Sequence, residues 1–424
     1  MNACHRASPL WTTARIPRQI ASSPVTLQGE FGPVETTAFR APAPRLPGLD
    51  LIRAAAIAWV MLTHSEMFGL TSNDHWLVRY GWFGVDLFFV LSGFLIAGQL
   101  LRPFARGEQP NYARFFGRRL LRTVPAYLVV VVAYFAIPGV RDHPDIAPLW
   151  QFLTFTENVP PWPTPGLAFS HVWSLCVEEQ FYLVFPAVVA LISLKPNPSR
   201  VTLAIVLTLI MGMVLRGYLW LRFVAQTPFD TAADPHGPFM QLIYYPTDTR
   251  LDGLLMGIAA AAIQAFRPQA WIRLTARPNL LLVAGLAGVV TSTFIFNHGQ
   301  NARFWATVLG YPFLSFSVVL IVMAAATPSS LIGRHRIPGA GALAAGAYSL
   351  YLSHKIVFHW VQLARPHLPE WLQPFAFAPA LLGAFVLGAA LYWAVERPFL
   401  RLRDRLEGPS RSSLAVEATV GGAR

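Results

Sequence analysis

The sequence is poor in charge: 13% of its 424 residues are Asp, Glu, Lys or Arg, whereas 54% are hydrophobic. Soluble globular domains carry about 25% charged residues. The shortage of charge therefore excludes an ordinary soluble domain and predicts a chain that crosses a membrane several times. The net charge of +12 does not indicate nucleic-acid binding, because the excess of arginine falls in short segments between apolar runs.

Cysteine is also scarce. Only Cys4 and Cys176 occur, one near the N-terminus and one within an apolar run, so we expect neither a disulfide nor a metal site. The first 50 residues lack a continuous apolar core, so we expect no cleavable signal peptide. The composition predicts a disordered tail rich in Pro and Arg at 1–45, a membrane domain at 46–405 and a flexible tail at 406–424.

Apolar runs of about 20 residues, the length that crosses a bilayer, occur ten times. They predict an all-α polytopic bundle with about ten transmembrane helices. The predicted spans are 51–70, 82–101, 120–137, 173–194, 201–221, 248–266, 279–297, 305–326, 340–361 and 375–395.

Arginine fixes the predicted orientation of these spans. In the ten-span arrangement, 25 basic residues fall on the side of the two termini and five on the other side. Cytoplasmic loops carry the excess of basic residues in membrane proteins, so both termini are predicted to be cytoplasmic. On the outer side, segments 138–172 and 222–247 are long enough to shape a substrate site.

The first span contains RAAAIAWVMLTH, from Arg53 to His64. Eleven residues make about three helical turns, so the two side chains share a face and lie roughly 16 Å apart along the axis. Polar side chains within a bilayer are costly and tend to mark function. A buried, neutral His is a common general base. The alternative is a snorkelling Arg with a His that is hydrogen-bonded inside the bundle.

A cluster of arginines precedes the third span. Arg118, Arg119 and Arg122 lie within about one helical turn. Clustered guanidinium groups suit phosphates, such as those of a coenzyme A thioester. Positive-inside bias and lipid headgroups explain the same cluster equally well.

The stretch HVWSLCVEEQFYLVFP places Trp173 at the predicted membrane interface and Glu178 and Glu179 well inside the fourth span. Adjacent residues diverge by about 100° on a helix, so the two carboxylates face different partners. Glu178 shares a face with Ser174 and Tyr182. One carboxylate would orient or charge-balance a His or Arg and the other would touch substrate. The alternative is a pair of structural salt bridges.

Further polar candidates occur near the ends of other spans. Asp86 lies near the outer end of the second span, and His354 lies in the ninth. Asp248, Arg250 and Asp252 open the sixth span. Asp248 and Asp252 are four residues apart and are predicted to share a helix face. Arg250 is predicted to pair with either of them or with a glutamate of the fourth span, in an architectural or a chemical role.

Together these segments resemble the membrane-bound acyltransferase 3 family, the O-acyltransferases of bacterial polysaccharides, lipid-linked sugars and antibiotics. The resemblance covers residues 46–405. It is carried, in order, by GLDLIRAAAIAWVMLTH, FFVLSGFLI, RRLLRTVPAY, HVWSLCVEEQFYLVFP, TDTRLDGLLMG, YSLYLSH and ERPFLRL. The residues that match family motifs are Arg53 and His64, Arg119 and Arg122, and Trp173, Ser174, Leu175, Glu178 and Glu179. Ser353 departs from the family pattern, in which a Trp often precedes the His of the ninth span.

The resemblance implies transfer of an acyl group, acetyl by default, from a coenzyme A thioester to a hydroxyl of a sugar-containing acceptor. Acyl-coenzyme A would be a co-substrate, with no permanently bound cofactor. His64 would be the general base, or would attack the donor itself, and Glu178 or Glu179 would orient or charge-support it. Phosphate-binding candidates are Arg53, Arg118, Arg119 and Arg122. Substrate-binding candidates are Asp86, Trp173, Ser174, Tyr182, Asp248, Arg250, Asp252 and His354. The alternative function is a transporter or flippase of a glycan or lipid.

Overall fold

The structure, a computed structural model, describes residues 46–159, 168–194, 198–227, 237–297 and 304–406, and these residues form helices and connecting segments without a β-strand. The predicted tails lie outside the described residues, apart from Leu406. Within the described part, the predicted all-α architecture is confirmed.

Each predicted span coincides with a long helix, because each apolar run continues until Pro, Gly or polar residues interrupt it. The long helices are α1 (Pro47–Met67), α2 (Phe83–Ala105), α3 (Tyr112–Ala136), α4 (Trp173–Leu194), α5 (Pro198–Leu219), α6 (Asp252–Phe266), α7 (Pro278–Ile295), α8 (Tyr311–Ala325), α9 (Ala340–Ala364), α10 (Phe377–Leu391) and the terminal α11 (Arg397–Leu406). Short helices occupy Trp76–Arg79, Leu149–Leu153, Pro268–Leu274 and Leu331–Arg334. Five-residue π-helical segments occupy Trp220–Val224, Met240–Tyr244, Ala306–Gly310 and Tyr392–Glu396.

Seven helical segments of the described chain are long and apolar enough to cross a membrane. They are Phe83–Ala105, Tyr112–Ala136, Ser170–Ile192, Ser199–Val224, Pro278–Ile295, Ala306–Ala325 and Gln373–Leu406. The helices α1, α6 and α9, which complete the predicted ten, are outside this set. Helix α6 has 15 residues, and α1 carries Asp50, Arg53, His64 and Glu66. The chain is therefore a multi-pass membrane protein, and a total of ten crossings stays a prediction.

Helices α2 and α6 form the closest packing in the bundle. A Cβ atom added to Gly93 of α2 would lie 2.2 Å from the carbonyl oxygen of Leu254, and one added to Gly257 of α6 would lie 2.3 Å from that of Val90. Membrane helices approach this closely only where small residues remove the side chains between them. The two glycines therefore fix the distance between the backbones of α2 and α6.

We expect Gly93→Ala to destabilise the protein by about 1–3 kcal/mol, because the new methyl group overlaps the backbone of α6 and forces the helices apart. The measurement is the Tm of the detergent-solubilised protein.

The control is Gly346→Ala in α9, where an added Cβ meets nothing within 4 Å. We expect this control to match the unchanged protein or exceed it, since Ala favours a helix more than Gly. Equal Tm values for the two variants would contradict the proposed close packing.

Candidate active site

Two histidines meet where α1 packs against α9. The Nδ1 atom of His64 lies 2.7 Å from Nε2 of His354, and Nδ1 of His354 lies 2.9 Å from the carbonyl oxygen of Leu350. A carbonyl oxygen only accepts hydrogen bonds, so His354 carries its proton on Nδ1 and, when neutral, accepts at Nε2. His64 must then donate from Nδ1, which leaves the lone pair on its Nε2. Within the described residues this Nε2 has no hydrogen-bond partner, and the side chain is half-buried.

A third histidine braces the pair. The ring of His171 lies 5.8 Å from that of His64 and 5.3 Å from that of His354, edge to face in both cases. Its Nε2 lies 3.0 Å from the carbonyl oxygen of Tyr351, and the Tyr351 hydroxyl donates to the carbonyl oxygen of His171 at 2.7 Å. Ser174, a predicted substrate contact, lies 2.6 Å from the same hydroxyl. These bonds hold α4 and α9 in register around the histidines.

A buried ion pair lies next to the histidines. Lys355 Nζ lies 2.9 Å from Asp142 Oδ2, with side chains 3% and 7% exposed. The other carboxylate oxygen of Asp142 accepts from the backbone N–H of Phe169, whose φ is 66°. Burial alone would raise the pKa of Asp142, but the Lys355 ammonium and these hydrogen bonds hold it below its usual value. Asp142 thus anchors the segment before α4 to α9.

The arginine cluster lies at the opposite end of α1. Arg53, Arg119 and Arg122 are close enough for their charges to act on one another. The guanidinium carbon of Arg119 lies 4.3 Å from the centre of the Tyr182 ring, so this predicted substrate contact supports the cluster instead. Arg118 precedes Arg119 on α3 and is half-buried. The structure thus brings together side chains from α1, α3 and α4 in one basic site.

The paired glutamates belong to the arginine cluster. Glu178 accepts hydrogen bonds from Ser92 at 2.9 Å and from Tyr182 at 2.5 Å. The charge of Arg119 acts on both Glu178 and Glu179. The two carboxylates therefore balance the charge of the guanidinium groups.

The expectation that Glu178 or Glu179 supports His64 is not met by the structure. His354 occupies the position on His64 that the sequence assigned to a carboxylate. The physical reason is the position of Glu178 along α4. It lies four residues, about 6 Å, beyond Ser174, in the direction that leads away from the histidines. The structure instead places both glutamates close enough to Arg119 for their charges to interact.

A buried ion pair joins α2 to the segment before α6. Arg250 Nη2 lies 3.0 Å from Asp86 Oδ1, and both side chains are at most 3% exposed. The pairing predicted for Arg250 is therefore wrong, and Asp86, predicted to bind substrate, is buried against Arg250. Four aromatic rings surround the guanidinium carbon within 6 Å, and Trp173, predicted to lie at the interface, is buried among them. The rings are those of Tyr311, Tyr244, Trp173 and Phe89.

A second buried pair joins α5 to α6. Arg216 donates to both carboxylate oxygens of Asp252, at 2.7 and 3.1 Å. Asp248 lies in the 3₁₀ turn Thr247–Thr249 and is exposed, whereas α6 begins at Asp252. Asp248 and Asp252 therefore do not share a helix face as predicted. Each of the two buried carboxylates, Asp86 and Asp252, is paired with an arginine from another segment. We therefore interpret both pairs as architectural.

Sequence reasoning missed Asp142, His171, Arg216 and Lys355. Arg216 and Lys355 each lie within a predicted span, and an ionisable residue inside a span is itself a signal. Asp142 and His171 lie in a predicted outer segment, where charge is ordinary, so only the fold identifies them.

We expect Asp142→Asn to destabilise the protein by about 3–5 kcal/mol, because it leaves the Lys355 ammonium buried without its partner. The double variant Asp142→Asn/Lys355→Met should recover most of the loss, since it removes the charge as well. The measurement is Tm in detergent, with Asp145→Asn, an exposed carboxylate in the same segment, as control. A double variant no more stable than Asp142→Asn would show that the ion pair itself is not the source of the loss.

Comparison with known proteins identifies the family of the chain. A family model for an acyltransferase domain matches residues 46–394, which include α1 through α10. The chain is similar to the O-acetyltransferase OatA of Staphylococcus aureus, with 30% identity over 331 residues, 73% of this chain and 50% of that protein. It is similar to the peptidoglycan O-acetyltransferase OatA of Listeria monocytogenes, with 32% identity over 239 residues, 52% of this chain and 34% of that protein.

The chain thus spans half or less of the length of these relatives. No solved structure matches it. Because the family model covers most of the sequence, including both histidines and the arginine cluster, the chain belongs to the acyltransferase 3 family.

Proposed function

We propose that this protein is an integral membrane O-acyltransferase. It moves an acyl group, acetyl by default, from a coenzyme A thioester to a hydroxyl of a sugar-containing acceptor such as a cell-surface polysaccharide or glycolipid. The observation that carries the proposal is the hydrogen-bonded pair His64–His354, which leaves a lone pair on His64 Nε2. The names of the similar proteins, O-acetyltransferase and peptidoglycan O-acetyltransferase, support this class of reaction.

The pair suits general-base catalysis. His64 Nε2 takes the proton of the acceptor hydroxyl, and the hydroxyl oxygen attacks the thioester carbonyl carbon. The carbon–sulfur bond then breaks, and the proton on His64 passes to the leaving thiolate. His354 holds the ring and its tautomer throughout, because its own Nδ1 proton is fixed on the Leu350 carbonyl. We favour this mechanism over direct attack by His64 on the thioester, because direct attack requires an additional covalent intermediate.

The arginine cluster suits the donor. The phosphates of coenzyme A are anions, and guanidinium groups bind phosphate oxygens with two parallel hydrogen bonds. Arg53 lies on the same helix as His64, roughly 16 Å away along the axis, so the extended pantetheine arm would carry the thioester from one group to the other. The arginine bias of the sequence predicts that this end of the bundle faces the cytoplasm, where coenzyme A thioesters are made.

A transporter that shares the intramembrane charges is the alternative function. Transport alone does not require a general base, His64, on the same helix as Arg53 of the proposed phosphate site. Consumption of acetyl-coenzyme A separates the two functions, since a transporter leaves the thioester intact.

We expect His64→Ala to lower acyl transfer by about 10²–10⁴-fold, because the general base is lost. We expect His354→Ala to lower it by about 10–100-fold, because the base remains but its tautomer and orientation are no longer fixed. The measurement is transfer of radiolabelled acetyl from acetyl-coenzyme A in membrane vesicles of the native cells, normalised to protein level.

The control for both variants is His359→Ala, a partly buried histidine on α9, the helix of His354, whose Nδ1 has no partner within the described residues. Its transfer rate should match that of the unchanged protein. Full activity in His64→Ala would show that the pair is architectural.

We expect Arg119→Gln and Arg122→Gln to lower kcat/KM for acetyl-coenzyme A about tenfold or more, because each removes a charge-assisted hydrogen bond to phosphate. The rate with acetyl-pantetheine, which lacks the nucleotide phosphates, should change much less. The preference for acetyl-coenzyme A over acetyl-pantetheine therefore measures binding of the phosphorylated nucleotide, apart from the thioester arm.

The matched control is Arg401→Gln, an exposed arginine of α11. It should keep the preference of the unchanged protein. If the Arg119 and Arg122 variants lose both donors equally, the cluster supports the fold and does not bind phosphate.

A further inference from the structure

A half-open pocket of about 340 Å³ lies at the end of the bundle where α1 finishes, apart from the histidines and the arginine cluster. One wall is the segment between α1 and α2, and the other is the last part of α7. The side chains that matter for its chemistry are Asp74, Trp76 and Arg79 on the first wall and Thr293, Phe294 and Asn297 on the second. Its size is within the range of small-molecule sites.

The first wall is fastened to the part of α1 that carries His64. Trp59 Nε1 donates to the carbonyl oxygen of Leu77 at 2.7 Å, and the Thr63 hydroxyl donates to that of Val78 at 2.5 Å. Thr63 is the residue before His64, and Leu77 and Val78 belong to the short helix Trp76–Arg79. A ligand held on this wall is therefore held in fixed relation to the last turns of α1.

The lining combines one broad aromatic face with several polar groups. The Trp76 side chain is 57% exposed and Phe294 is 71% exposed, so both rings are available to a ligand. The carboxylate of Asp74 accepts hydrogen bonds, the guanidinium of Arg79 donates them, and the amide of Asn297 does both. One oxygen of Asp74 already accepts from the Ser72 hydroxyl at 2.6 Å, which fixes the carboxylate.

Sugars are the class of molecule that matches this lining. A sugar ring has an apolar C–H face that packs on an aromatic ring and a rim of hydroxyls that both donate and accept. A phosphate group matches less well, because Asp74 would repel it. Aromatic residues are common at membrane interfaces without any ligand, but an interface residue alone does not require a carboxylate, a guanidinium and an amide around the same cavity.

We propose that this pocket binds a sugar ring of the acceptor, in a saccharide held at the membrane surface. The proposal rests on the proposed function, and it adds a specific subsite and its ligand class. Trp76 stacks on the ring, Asp74, Arg79 and Asn297 bind its hydroxyls, and Phe294 covers its apolar edge. The attachment of this wall to α1 then fixes the saccharide relative to His64.

The test is surface-dilution kinetics on Trp76→Ala. The full chain is reconstituted in phosphatidylcholine liposomes. These liposomes are fused with membranes from native cells that lack the protein, which supply the acceptor. The proportion of phosphatidylcholine is then increased in steps, so that the surface concentration of the acceptor falls. Transfer from radiolabelled acetyl-coenzyme A then gives an apparent KM for the acceptor. We expect this KM to rise about tenfold, whereas binding of acetyl-coenzyme A and the limiting rate at undiluted acceptor stay within twofold of the unchanged protein.

A second variant and a control accompany this measurement. Asp74→Asn keeps the shape of the pocket and should also raise the apparent KM, by about threefold to tenfold. Trp371→Ala removes another tryptophan, 70% exposed and not part of the pocket lining, and should leave the KM unchanged.

The outcomes are distinct. An apparent KM in Trp76→Ala equal to that of Trp371→Ala overturns the subsite, while transfer by the unchanged protein upholds the proposed function. If phosphatidylglycerol in place of phosphatidylcholine inhibits the unchanged protein but not Trp76→Ala, the pocket holds a phospholipid headgroup and the sugar proposal fails. If the unchanged protein neither consumes acetyl-coenzyme A nor transfers its acyl group, the proposed function itself fails.

Discussion

Charge that is buried among membrane helices must be paired, and this constraint organises the bundle. An ion in a low-dielectric interior costs several kcal/mol unless an opposite charge and hydrogen bonds surround it. Three buried pairs satisfy the requirement in the described structure: Asp86 with Arg250, Asp252 with Arg216 and Asp142 with Lys355. Each pair joins segments that are distant in sequence, so charge neutralisation and helix assembly occur together.

The same constraint separates architecture from chemistry. A carboxylate with both oxygens bound by an arginine has little capacity left for a substrate, and Asp252 is of this kind. His64 is different, because one ring nitrogen is held by His354 and the other has no partner among the described residues. The arginine cluster is different as well, since Arg53, Arg119 and Arg122 bring three guanidinium groups together, and guanidinium groups suit phosphate oxygens. These two places are where reaction and binding are expected.

The sequence predicts the helices well and the contacts between them poorly. Each of the ten predicted spans coincides with a helix in the described residues, because long apolar runs favour helices in a bilayer. The helical period correctly places Arg53 and His64 at opposite ends of one helix. Partners across helices are a different matter: His64 and His354 are 290 residues apart and Asp86 and Arg250 are 164 apart. No local period encodes such pairs, so the sequence assigned Glu178 or Glu179 to His64, and Asp248, Asp252 or a glutamate of the fourth span to Arg250, and not the partners that the fold provides.

Helix α1 shows how a helix with several polar residues is accommodated in a membrane bundle. Its Asp50, Arg53, His64 and Glu66 leave it outside the set of helices that are apolar enough to cross a membrane by themselves. One face of it is nevertheless buried, because α2, α8 and α9 pack against that face and bury Ala56, Ile57 and Val60 completely. The neighbouring helices supply the polar partners that lipid lacks. A polar helix can therefore hold a base at one end and a basic cluster at the other only in the interior of the bundle. This explains why α1, which packs against α2, α8 and α9, carries His64 and Arg53, while Arg119 and Arg122 join Arg53 from α3.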